Sequence, residues 1–186
     1  MDSMQKSFFS FYLSFFFLTL LLVGCSVVSV NVTPSKTTKL ASLLQSLDST
    51  TPKKQTLQLS QDILHKTSFL AQEFRLTSPP LFHNTLVNLG FREKGLCYHW
   101  SDALYVHLLN RYENFEFHLI GANIGEYFFE HNALVVLKKG GVVEEGVVID
   151  PWRDSGEVYF SKVKEDRAYN WVHRANRGCL SEPLKR

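Results

Sequence analysis

The chain has 186 residues, of which 45% are hydrophobic and 20% charged. That leaves room for one globular domain with a modest core, and it excludes an intrinsically disordered chain. The formal charge is only +2 and the Lys and Arg residues are scattered, so nothing supports a nucleic-acid or acidic-polymer partner.

After Lys6 comes FFSFYLSFFFLTLLLV, Phe8 to Val23, an apolar run of 16 residues closed by Gly24-Cys25. A membrane-spanning helix needs about 20 residues, and the layout is that of a secretory signal. The tetrad Leu22-Val23-Gly24-Cys25 resembles the lipobox of bacterial lipoproteins. The resemblance implies a signal peptide over residues 1–25, with Cys25 carrying acyl chains such as palmitate. Ser26 after it implies sorting to the outer membrane, facing the periplasm. An uncleaved N-terminal anchor is the alternative. With Cys25 lipidated, Cys97 and Cys179 remain in a compartment that permits disulfides, so a bridge between them stays open.

Residues 26–57 are rich in Ser, Thr, Val and Lys, include Pro34 and Pro52, and read as a tether. Leu40, Leu43, Leu44 and Leu47 follow helical spacing within it and predict a short helix. Ser60 is placed to cap a longer helix over 61–76, which Thr77-Ser78-Pro79-Pro80 stops. Phe82, Leu86 and Leu89 predict a brief helix closed by Gly90. Trp100, Leu104 and Leu108 then line one face of a helix from about Cys97 to Arg111. Beyond it the period changes. Phe115–Ala122 reads as a strand. His131–Asp150 reads as two strands around a tight turn at Gly140-Gly141, and Glu157–Val163 as another. Helices followed by an antiparallel sheet argue an α+β fold.

Cys97 falls in the first turn of its helix, where unsatisfied N–H groups and the macrodipole favour a thiolate. The same groups suit an oxyanion on a substrate carbonyl. A nucleophile also needs a base and a group to orient it. Among seven histidines, His99 is rotated away from Cys97 and His107 lies nearly three turns along. His65 and His83 have no evident acid beside them, His118 sits in an apolar strand, and His173 in a polar segment. His131 differs. With a two-residue turn at Gly140-Gly141 it falls directly opposite Asp150, both on one face. An odd shift of that register would separate them. Close ligand pairs such as C-x-x-C or H-E-x-x-H are missing from the sequence, so neither a metal site nor a cofactor is expected.

Cys97 at a helix start, His131 opening a strand and Asp150 closing the next resemble the triad of the transglutaminase-like, papain-like cysteine superfamily. The pieces G-L-C-x-H-W, H-N-A-L-V-V and V-I-D-P-W-R are also similar to bacterial envelope proteins of that type. The similarity covers roughly residues 58 to 175, with a tail at 176–186. It implies Cys97 as nucleophile, His131 as general base and acid, and Asp150 as orienting carboxylate. The implied fold is a helix packed on an antiparallel sheet or half-barrel, with the thiol at their junction. Papain-type enzymes place an oxyanion Gln shortly before the cysteine. Here that region reads Asn88-Leu89-Gly90-Phe91, leaving Asn84 and Asn88 as available side chains. Trp100 and Trp152 are taken as substrate-binding aromatics, with core packing the alternative for Trp100 and cover of the sheet edge that for Trp152.

The expected activity is that of a cell-envelope cysteine peptidase-like hydrolase or acyl-transferase acting on amide bonds. Its substrate would be a peptide, a peptidoglycan stem or a protein glutamine. The competing expectation is a silent envelope module that binds another envelope protein through the same fold. A disulfide-stapled structural lipoprotein is the third.

Overall fold

The computed structural model describes residues 30–126 and 128–174. The segment expected to be a signal peptide, the expected lipidation site Cys25, Cys179 and the tail 176–186 lie outside the described residues. Among the described residues, four α-helices precede a five-stranded antiparallel sheet, the α+β class expected. The helices are α1 (Pro34–Gln45), α2 (Lys53–Glu73), α3 (Pro80–Asn88) and α4 (Cys97–Leu108). Among the described residues, no helix is long and apolar enough to cross a membrane.

The tether expected over 26–57 is corrected from Val30 onward. Leu40 and Leu44 of α1 are fully buried in the main core with Leu59 and Ile63 of α2. Each such side chain contributes about 2 kcal/mol, too much for a passive linker. Thr33 caps α1 by accepting the Lys36 N–H at 3.2 Å, with Pro34 in the first turn. Ser60 does not cap a helix but lies within α2, where its hydroxyl donates to the Thr37 carbonyl of α1 at 2.7 Å. A partner on the neighbouring helix makes serine acceptable mid-helix. Gly90 takes φ +79 just after α3, as a helix-closing glycine does.

The strands are β1 (Phe115–Ala122), β2 (His131–Lys138), β3 (Val147–Asp154), β4 (Glu157–Lys162) and β5 (Val172–His173), in the order β4-β3-β2-β1-β5. β5 was not foreseen; its two residues pair with Ile120 and Gly121. The tight turn at Gly140-Gly141 is also corrected. A longer loop containing a 3-10 turn, Val143–Glu145, joins β2 to β3. Leu134 pairs with Ile149, where a two-residue turn would have paired it with Val147. The slip is two residues, an even number, so each side chain keeps its face.

Both faces of the central strands are covered. Leu134, Val136, Val147 and Ile149 pack under the helices. Ala133, Val135, Leu137 and Val148 pack with Ile120 and Trp171 on the far side. Hence β2 reads as a nearly unbroken apolar run instead of an alternating one.

Candidate active site

The segment Gly95-Leu96-Cys97-Tyr98-His99-Trp100 fixes the thiol through its neighbours. Gly95 has φ +123, and a Cβ there would lie 2.1 Å from His83 Nε2, so only glycine lets the loop pass so close. His83 is fully buried. It accepts the Thr77 N–H at Nδ1 (3.2 Å) and donates from Nε2 to the Lys94 carbonyl (2.9 Å). Burial holds its pKa below the ordinary value, in keeping with a neutral ring that bonds at both nitrogens. The Gly95 and Leu96 N–H groups donate to His99 Nδ1 at 3.2 and 3.1 Å. Trp100 Nε1–H donates to the Gly95 carbonyl at 3.0 Å.

That last bond corrects the expectation for Trp100. The residue is 1% exposed and meets Phe74 edge-on with ring centroids 4.9 Å apart. It anchors the pedestal of Cys97 from the core and does not line a cleft. Its indole N–H finds a partner there, as a buried Trp requires.

Cys97 is half-buried at the first position of α4 and forms no disulfide among the described residues. The Asn132 side-chain Nδ2–H points to Sγ at 3.6 Å. His131 and Asp150 are almost wholly buried, and His131 Nε2–H donates to Asp150 Oδ2 at 2.7 Å. The structure therefore brings Cys97, His131 and Asp150 together. It does so differently from the expectation. His131 hangs on the face of β2 away from the helices, beside Trp171, Tyr169 and Trp152, with centroids 5.5, 4.6 and 4.7 Å away. The sulfur still meets this end of β2, since Asn132, next to His131, points to Sγ and the thiol and imidazole interact directly. Nδ1, the ring nitrogen left over, is buried and closes no hydrogen bond of good geometry.

Burial opposes charge on both groups, yet their attraction prevails. For Cys97, burial raises the pKa, but the His131 ring and the Asn132 side chain and backbone amide bring it below the ordinary thiol value. For His131, burial lowers the pKa, while Asp150 and Cys97 push it up to about 9. Both shifts favour the charged thiolate–imidazolium pair over the neutral one.

Behind Asp150 lies a support that sequence reasoning did not assemble. Arg153 Nε–H donates to Asp150 Oδ2 at 3.0 Å, and its two terminal nitrogens grip Asp166 at 3.1 and 2.7 Å. Trp171 Nε1–H donates to Asp166 Oδ2 at 2.8 Å. The Arg153 guanidinium also lies over Tyr159 and Tyr169, at 3.8 and 4.8 Å from the ring centres. Of the two asparagines considered for the oxyanion, Asn84 accepts the Trp152 Nε1–H at 3.0 Å, and Asn88 is exposed at the end of α3. Trp152 is half-buried, against the imidazole on one side and α3 on the other. The signal available for Asn132 was strand alternation, which points it at the helices when His131 points away. For Tyr169 and Trp171 the signal was their aromatic character in an otherwise polar segment.

No protein-family model, curated protein or solved structure matches the chain.

Proposed function

We propose that the protein is an envelope-anchored thiol hydrolase or acyl-transferase of the transglutaminase-like, papain-like type, acting on an amide bond. The substrate is a peptide, a peptidoglycan stem or a protein glutamine, and anchorage runs through lipid on Cys25 at the outer membrane. The observation that carries the reading is the convergence of Cys97, His131 and Asp150, with the imidazole bonded to the carboxylate at 2.7 Å.

The chemistry follows from which ring nitrogen is occupied. Nε2–H is committed to Asp150, so Nδ1 exchanges protons with the reacting groups. The Cys97 thiolate attacks the carbonyl carbon and forms an S–C bond. As the tetrahedral intermediate collapses, the C–N bond breaks and the leaving amine takes the Nδ1 proton. Water or an acceptor amine then attacks the thioester, returns a proton to Nδ1 and releases the thiolate. The Cys97 N–H, at the first position of α4, is suited to hold the oxyanion. Trp152 beside the imidazole is suited to bound the acyl group.

The test is iodoacetamide labelling of the Cys97 peptide across pH, in wild type and in His131→Ala. Labelling that begins well below the ordinary thiol value of about 8.5, and loses that shift in the variant, supports an activated thiolate. Labelling that requires a reductant supports a disulfide with Cys179. Slow labelling at the ordinary thiol value in both proteins supports a silent binding or assembly module.

A further inference from the structure

We infer that the face formed by the end of α2, by α3 and by the loop after it lies against an anionic phospholipid bilayer. The inference rests on the membrane-anchoring part of the proposed function and not on its chemistry.

Phe69, Leu81, Leu89 and Phe91 are each more than half exposed, and Phe82 is exposed beside them. Leu81 on α3 and Leu89, which caps its C-terminal end, are eight residues apart and fall within one side of the helix. The end of α2 and the loop after α3 are joined by side-chain contacts. Lys66 Nζ lies 4.8 Å from the centre of the Phe69 ring. One turn further along α2, Glu73 pairs with Lys94 of the loop at 3.7 Å. Arg92 Nε–H donates to the Arg75 carbonyl at 3.1 Å, which closes the loop onto the end of α2. Lys66, Arg75, Arg92 and Lys94 stand here against Glu73 and Glu93. The combination of exposed apolar side chains and surplus basic ones suits the headgroup region of an anionic bilayer.

The point where the chain enters the fold selects this face. Val30 packs against the core, and its carbonyl accepts the Ser68 hydroxyl at 2.8 Å, immediately beside Phe69. The apolar run ends at Val23, seven residue steps before Val30. Seven steps reach at most about 25 Å, and five steps from Cys25 about 18 Å. A domain of this length is about 40 Å across. The pole opposite Val30 therefore cannot touch the bilayer while the N-terminal segment is held in it. The surface around Phe69 can. Because α3 also bonds Trp152 through Asn84, docking would bring the candidate active site close to the membrane.

The experiment uses the full chain reconstituted in vesicles of phosphatidylethanolamine and phosphatidylglycerol carrying a photoactivatable phospholipid. Flotation reports anchoring, and mass spectrometry of labelled peptides reports the docked face. The expected result is flotation, with labelling of residues 66–92 several-fold above that of residues 139–165. The Leu89→Asp/Phe91→Asp variant, both positions exposed, should still float and match wild type in urea unfolding, yet lose the excess. Phe129→Asp, on the β1–β2 loop, should keep it, and phosphatidylcholine vesicles should weaken it. Flotation with even labelling, or with labelling concentrated elsewhere, overturns the docked face and leaves the anchor standing. Failure to float overturns anchor and docking together and leaves the thiol chemistry untouched.

Discussion

Asp150 holds His131 at 2.7 Å although the two do not sit directly opposite one another, because the β2–β3 register has slipped by two residues from that of a tight hairpin. The even slip keeps both side chains on the face lined by Trp171 and Val148. The carboxylate is then the main external support for charge on the imidazole, and through it for the thiolate. Asp150→Asn keeps the shape and removes the charge. Its expected effect is a fall of about tenfold or more in Cys97 labelling at mildly acidic pH, since each pKa unit is a tenfold change in thiolate. Labelling at strongly alkaline pH should be unchanged. Equal rates at both ends of the range would show that Asp150 does not act through the ring.

Arg153 links two carboxylates whose side chains are each 1% exposed. Arg153→Met leaves both without their cation, and breaking buried pairs in this way costs about 3–5 kcal/mol. Asp166→Asn is milder, because Arg153 keeps Asp150 and the amide oxygen still accepts the Trp171 N–H. Urea unfolding should therefore rank Arg153→Met as clearly less stable than Asp166→Asn. The reverse order would mean that Asp166, not Asp150, is the carboxylate that most needs the cation.

The thiol–imidazole pair imposes a particular pH dependence on stability. Unfolded, His131 titrates near 6.5 and Cys97 near about 8.5. Folded, the imidazolium persists to about 9 and the thiol ionises below its ordinary value. The raised imidazole contributes stability fully present below pH 6.5 and lost as pH rises toward about 9. The lowered thiol contributes stability present above about 8.5 and lost as pH falls through its folded value. From pH 6.5 or the thiol's folded value, whichever is higher, up to about 8.5 the two changes offset and give a plateau, with a decline beyond. The difference in unfolding free energy between wild type and the Cys97→Ala/His131→Ala variant should trace that plateau. A steady decline from pH 6.5 upward would show that the thiol does not share the charge.

Gly95→Ala asks the backbone to hold φ +123 with a side chain that meets His83. The conformation alone costs about 1–3 kcal/mol, and displacement of the His83 ring adds to it. The variant should lower the urea midpoint and also slow Cys97 labelling near neutral pH, because the same loop seats the first turn of α4. Loss of stability with unchanged labelling would separate the pedestal from the thiol.

Much of this arrangement was legible in the sequence, and the reasons it was not complete are physical. β1 stands at Phe115–Ala122 as its partial alternation predicts, and α4 begins at Cys97 as its apolar spacing predicts. The helix α1 was legible from the spacing of Leu40, Leu43, Leu44 and Leu47, but its place in the core was not, because leucines set among Ser, Thr and Lys read as a linker until Leu40 and Leu44 find a second helix. Cys97, His131 and Asp150 could be selected by residue type and strand position, since those depend on local pattern. Asn132, Arg153 and Asp166 could not be connected, because their contacts depend on the loop that sets the register and on a C-terminal segment folding back over β1. Trp100 was misjudged because an aromatic near a nucleophile looks the same in sequence whether it lines a cleft or anchors a core.

The most direct measurement of the central claim is the ultraviolet thiolate absorbance of Cys97, taken as wild type minus Cys97→Ser across pH. The expected result is a transition below the ordinary thiol value of about 8.5, and its return to that value or above in the same difference measured on a His131→Ala background. A single transition at or above about 8.5 in both backgrounds would contradict it, because a sulfur in contact with an imidazolium cannot remain protonated that far.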